Sequence, residues 1–280
     1  MATLSSAKTK KRNSFLAANP VMRRLNNVEE HSETDACTYS GIATKTALYM
    51  LITLGGCILY LLLEKTLKTG STFTINFKGF PVEMYTTQAI ALGVSLVLAV
   101  VFQLLAFFVK ASTPVTGALY CITQGYFIAF LVYAVLGPTY QYLGVLALLI
   151  TLFIVAAMAF LYSKGIIRVT KKFKMVLFTL VFTMVGVTLI TTIAYLIPFT
   201  RNFVSGIVNN YVVSIVSSII FIIIASLFLI SDFDTIARVV EGQLPKKYEW
   251  QAAFGLAFTV IWIYIKVLDL LMTIVGKKNS

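Results

Sequence analysis

Residues 210–230 read NYVVSIVSSIIFIIIASLFLI, and residues 231–250 continue as SDFDTIARVVEGQLPKKYEW. The first run carries no charge over 21 residues, more than the roughly 18 apolar residues that mark a membrane-spanning helix. The second gathers Asp232, Asp234, Arg238, Glu241, Lys246, Lys247 and Glu249 in a chain that otherwise avoids charge. How far the helix runs into this charged stretch decides which carboxylates belong to the membrane domain.

Composition generalises the first run. Of 280 residues, 59% are hydrophobic and only 12% are charged, with a mean hydropathy of +0.88. An ordinary globular domain is about a quarter charged. The chain is therefore an integral membrane protein, and a soluble enzyme with a buried core is excluded. The ten-residue alternation of a membrane β-barrel is absent, which makes the spans helical. Seven are expected, over 47–63, 87–109, 115–135, 142–162, 173–197, 207–230 and 252–275. Pro114, Gly137-Pro138, Ser163-Lys164-Gly165 and Pro198 punctuate them. The connection GPTYQY between the third and fourth is short and uncharged. The expected division is a polar basic cytoplasmic tail over 1–46 and one seven-helix membrane domain over 47–276, an all-α bundle.

Orientation follows from the 23 Lys and Arg residues. With the N-terminus cytoplasmic, sixteen lie on that side, six lie outside and Lys266 lies within a span. The positive-inside rule then predicts an inward N-terminus and an outward C-terminus in the cell membrane. The net charge of +12 reads as topology signalling and attraction to anionic headgroups rather than nucleic-acid binding. The basic start of the tail is followed by polar sequence and acids, unlike a secretory signal peptide. Cys37, Cys57 and Cys121 are too few and too scattered for a disulfide framework. The lone His31 sits among tail acids. No metal-ligand spacing, phosphate-binding glycine loop or nucleophile-base arrangement is visible, so no catalytic residue and no cofactor are expected.

Polar residues within the spans carry what function can be read. In the seventh span Thr259, Trp262, Lys266, Asp269 and Thr273 recur at spacings of 3, 4, 3 and 4, which puts them on one stripe of a helix. Lys266 and Asp269 are close enough to pair, and pairing makes an intramembrane charge tolerable. Either that stripe packs inside the bundle, or Lys266 snorkels outward with Asp269 neutralising it. Glycines in the first and third spans read as sites of close helix packing.

In the sixth span Asn210, Ser214, Ser217, Ser218 and Ala225 fall on one small or polar face. Asp232 joins that face if the helix runs on unbroken, and Asp234 points nearly the opposite way. ARVVEG looks like a helix C-terminus, with Arg238 answering Asp234 at i,i+4 and Gly242 at the C′ position. Both aspartates would then lie two to three turns before the helix end.

The run 231–271, SDFDTIARVVEGQLPKKYEWQAAFGLAFTVIWIYIKVLDLL, resembles the end of the Bax inhibitor-like membrane proteins, particularly their bacterial branch. ANPVM at 18–22, ATKTALYMLITLGG at 43–56 and PVTGALYCITQGYFIAFLVY at 114–133 resemble the same branch. The resemblance implies a seven-helix bundle with the seventh helix central. It also implies a pH-sensitive calcium leak controlled by one aspartate near the end of the sixth helix and one in the seventh. Asp234 matches the sixth-helix aspartate of that family, while helical phase favours Asp232 as the inward residue. Thr259 stands where channel-forming members carry the second aspartate. Asp269 falls at a common arginine, Lys266 at a glutamate and Gln124 at another glutamate.

Two functions remain open. One is a passive cation pathway, with calcium implied by the resemblance, gated near Asp232 and Asp234, which are also the candidate metal ligands. Arg238, Lys266 and Asp269 would share in gating, and Thr259, Gln124, Ser214 and Asn210 would line the path. The other is a non-conducting regulator that binds a membrane protein such as a quality-control protease through the tail and cytoplasmic loops. The lipid bilayer is a partner in both, and nucleic acid in neither.

Overall fold

A computed structural model describes residues 36–208 and 210–276. Among these, seven helices are long and apolar enough to cross a membrane. Their main α-helical parts are α1 (Tyr39–Glu64), α2 (Thr86–Phe108), α3 (Thr113–Ala129), α4 (Tyr142–Ser163), α5 (Lys171–Leu196), α6 (Tyr211–Glu241) and α7 (Glu249–Gly276), and the third span runs over Lys110–Val135 with its flanking turns. The chain is thus an all-α multi-pass membrane protein. Both His31 and most of the basic tail lie outside the described residues.

Local chemistry sets the helix ends. The Thr38 hydroxyl caps α1 by accepting from the Gly41 N–H at 3.0 Å, and the Thr170 hydroxyl caps α5 through the Phe173 N–H at 3.1 Å. At α4 the Gly165 N–H donates to the Tyr162 carbonyl and the Ile166 N–H to the Leu161 carbonyl. This pattern closes the helix with Gly165 at φ +66. The weak GPTYQY separation is real: a single π turn over Phe130–Val135 ends the third span, and a four-residue helix, Gly137–Tyr140, precedes α4.

Three boundaries differ from a reading by hydropathy. Helices α1 and α7 begin earlier, at Tyr39 and Glu249, because a helix continues beyond its apolar window when its polar turns find partners. The sixth span begins at Tyr211 rather than 207, since Pro198–Val208 folds as a separate short helix. At the end of α6 the left-handed C′ position belongs to Gln243, at φ 49, and not to Gly242. A Cβ on Gly242 would meet the Arg238 carbonyl at 2.8 Å, so that glycine supplies space rather than a positive φ.

Between α1 and α2 the chain forms a β-hairpin that hydropathy did not reveal, β1 (Thr72–Phe77) antiparallel to β2 (Phe80–Tyr85), with Phe77 opposite Phe80. Its two-residue turn, Lys78-Gly79, has φ 52 and 85, the twist that matches right-handed strand pairs. Phe80, Val82 and Met84 of β2 are buried. Their cluster includes Leu268 and Met272 of α7, so the hairpin is docked on the bundle.

Packing gathers around the last two helices. Helix α7 packs against α1, α3, α4 and α6. Its Ala253, Phe254, Ala257, Ile263 and Leu268 are fully buried. Close approach of α1 to α3 depends on Gly56 and Gly125, where an added Cβ would overlap the Ile122 and Thr53 carbonyls. Helices α6 and α7 run antiparallel, and their shared seam brings Asp232 onto Thr259.

Candidate functional site

Helix α6 continues unbroken through the charged stretch to Glu241, so phase decides what each aspartate meets. Asp232 lies seven residues beyond Ala225 and fourteen beyond Ser218, two and four turns along one face. All three are buried, Asp232 completely. Across the seam the Thr259 hydroxyl of α7 donates to Asp232 Oδ2 at 2.6 Å. The inward aspartate is therefore Asp232, and Thr259 is its hydrogen-bond donor.

Asp234 faces away from that contact. Its Oδ2 lies 2.9 Å from Lys174 Nζ of α5 and 2.8 Å from Arg238. The i,i+4 pair with Arg238 is the one that helical spacing predicts. Lys174 is buried, so the pair fastens α5 to α6 in a weakly screened setting. Of the two aspartates offered together as cation ligands, Asp232 accepts from a hydroxyl of α7, whereas Asp234 is in direct ion pairs with Lys174 and Arg238.

Asp269 sits near the far end of α7. Here the expected pair with Lys266 is corrected: the ion pair of Asp269 is with Lys78 of the hairpin turn, at 2.5 Å. Lys78 also donates to the Thr273 hydroxyl at 3.0 Å, and the Ser218 hydroxyl of α6 donates to Asp269 Oδ2 at 3.2 Å. The Lys266 ammonium instead stands over the Phe221 ring, 4.5 Å from its centroid, a cation–π position. Docking of the turn explains the exchange. Gly276 lets the Lys78 carbonyl approach α7 so closely that a Cβ there would overlap it, and this brings the Lys78 side chain onto Asp269.

The remaining sequence candidates play smaller parts. Asn210 is the N-cap of α6, its side-chain oxygen accepting from the Val212 and Val213 N–H groups at 3.0 and 3.2 Å. The Ser214 hydroxyl donates to the Val208 carbonyl at 3.1 Å. Both polar groups complete the helix start, which is the physical reason they do not line the seam beside Asp232. Gln124 is half-buried on α3, and among the described residues no hydrogen bond joins it to the three aspartates.

A further ion pair was not apparent from the sequence. Glu249, in the first turn of α7, has a fully buried side chain and pairs with Lys45 of α1. Its Oε1 accepts from the Thr38 N–H at 2.9 Å and the Thr38 hydroxyl at 3.1 Å. Beside it the Cys37 N–H donates to the Leu244 carbonyl at 2.7 Å, and Ala36 forms an antiparallel bridge with Pro245. A strap of residues 36–38 therefore ties the start of α1 to the α6–α7 connection. Burial, and then the Glu249 carboxylate, push the Cys37 thiol up to about 11.

The seam thus has a polar cluster toward each end. Ser218 and Asp232 are fourteen residues apart on α6, about 20 Å at the helical rise. Between them the buried Ala225 and Leu229 of α6 and Ile263 and Val267 of α7 share one apolar cluster. Apolar side chains fill that part of the seam, and a bare charge at membrane mid-depth costs about 2.5–3.5 kcal/mol even on translocon scales.

The model of a family described as Bax inhibitor 1 like matches residues 19–276. No curated protein and no solved structure matches the chain.

Proposed function

The chain belongs to the Bax inhibitor 1 like family, and on that premise we propose that it is a pH-sensitive cation leak whose path runs along the α6–α7 seam. The observation that carries this reading is Asp232, a completely buried carboxylate that accepts from Thr259 on the neighbouring helix. An ionisable side chain inside a span is costly to keep, which favours a working role over a packing one. Proton uptake removes the charge from Asp232 and weakens what it accepts from Thr259, loosening the seam at that level. Asp269 and Lys78 form the second closure, near the hairpin, with Lys266 as a neighbouring positive charge. Calcium is the cargo in this reading, because carboxylate, hydroxyl and carbonyl oxygens are its preferred ligands. The proposal includes no catalytic residue and no resident cofactor.

Calcium flux into liposomes holding the purified protein tests this, at pH 6 to 8, with Asp232→Asn, Asp234→Asn and Asp269→Asn compared. The expected outcome is flux above that of empty liposomes, with its pH dependence lost in Asp232→Asn. Absence of flux at every pH would remove the channel reading.

One observation favours a non-conducting regulator instead. The Ala36–Pro245 bridge places the exit of the basic tail beside the α6–α7 connection, so a membrane protein or protease held by the tail would act on the same helices. That reading predicts loss of a co-purifying membrane protein when residues 2–24 are deleted, with no flux in either form.

A further inference from the structure

The connection from α4 to α5 is short and strongly positive. The closed end of α4 and the Thr170 cap of α5 leave only residues 164–170 between the two helices. Lys164, Arg168, Lys171 and Lys172 are all exposed here. No acid occurs in the sequence between Glu83 and Asp232. Asp234, the carboxylate that reaches α5, is engaged by Lys174 and Arg238. Among the described residues none of the four exposed cations takes part in an ion pair. Lys164 lies over the Phe160 ring at 5.8 Å, a contact that leaves its charge in place. Ile166, also in the turn, is 63% exposed.

Position selects the partner. The turn joins two membrane-spanning helices and is too short to rise far above them, so its cations stay within a headgroup layer about 5–7 Å deep on each side of the hydrocarbon. Phosphates of anionic lipids are the negative charges present at that depth, and each nearby Lys or Arg attracts them with about 1 kcal/mol. Exposed Ile166, between Lys164 and Arg168, adds an apolar contact at the acyl boundary. An acidic soluble protein would need the cations lifted clear of the membrane, and this turn does not lift them. We propose that the α4–α5 turn is a docking surface for anionic phospholipid headgroups, which anchors α5 at the end where Lys174 meets Asp234.

The test is lipid retention by the full-length protein in bilayer nanodiscs of mixed phosphatidylglycerol and phosphatidylcholine, read as the ratio of the two lipids remaining bound after extraction. Wild type is expected to enrich phosphatidylglycerol, and each of Lys164→Gln, Arg168→Gln, Lys171→Gln and Lys172→Gln to lower that preference by up to about fivefold. The double variant Lys110→Gln/Lys247→Gln removes two cations that stand over the Tyr248 ring, outside the α4–α5 turn, and it should lower the preference less than the turn variants do. Thermal melting in pure phosphatidylcholine confirms that each variant is folded. Equal enrichment in wild type and in a variant that combines Lys164→Gln, Arg168→Gln, Lys171→Gln and Lys172→Gln, absence of enrichment in wild type, or an acidic protein co-purifying in place of lipid through these four residues would each overturn the proposal.

Discussion

The two ends of α7 are tied to other elements by the same chemistry under different exposure. Near the tail, Lys45 reaches a Glu249 side chain that is 0% exposed. At the hairpin, Lys78 and Asp269 remain 28% and 25% exposed. An ion pair stripped of water is strongly destabilised when one partner is removed, whereas a wetter pair contributes little net stability. The tail end is therefore built as a fixed joint and the hairpin end as a releasable one. Asp232 lies between them, held by a hydroxyl of the opposing helix.

The largest expected effect comes from breaking the joint. Lys45→Ala leaves Glu249 buried without its cation and should cost roughly 3–5 kcal/mol, read as a large drop in the detergent melting temperature. Lys78→Ala should cost about 1 kcal/mol or less. Comparable losses from the two would erase the contrast.

Glycine substitutions sharpen the same comparison. A Cβ on Gly41 would overlap the Glu249 carboxylate, and one on Gly276 would overlap the Lys78 carbonyl. Each overpacking should cost about 1–3 kcal/mol, with different consequences. Gly41→Ala is expected to lower the melting temperature of the whole bundle, while Gly276→Ala displaces the hairpin and makes its turn more sensitive to protease.

The smallest effect is kinetic. Because the Cys37 thiol is pushed up to about 11, labelling by a thiol reagent should be slow at pH 7 and rise about tenfold per pH unit up to that value. Glu249→Gln removes a negative charge that opposes ionisation, so it should speed labelling at neutral pH. Unchanged rates would mean that the strap does not depend on Glu249.

The span count was legible, and helical phase favoured Asp232 as the inward residue while Asp234 stayed open beside it, because both readings rest on periodicity within one segment. Apolar length marks a helix, and a seven-residue step keeps Ser218, Ala225 and Asp232 on one face. What was not legible depends on long-range partners. Lys45, Lys78 and Lys174 read as topology markers, yet each answers an acid on α6 or α7 from a distant element. The hairpin's cues, a Lys-Gly turn between short alternating strands, were overshadowed by the hydropathy around them. Lys266 and Asp269 had the spacing to pair, and only the position of the Lys78 turn shows why they do not.

The central claim is that Asp232 and Thr259 act as one closure of the seam. A double-mutant cycle on liposomal calcium flux measures it, comparing wild type, Asp232→Asn, Thr259→Val and the double variant at pH 6 and pH 8. The account predicts that each single variant raises flux at pH 8 toward the pH 6 level and that the double variant adds nothing further. Additive effects of the two substitutions, or a pH response that survives in Asp232→Asn, would contradict it.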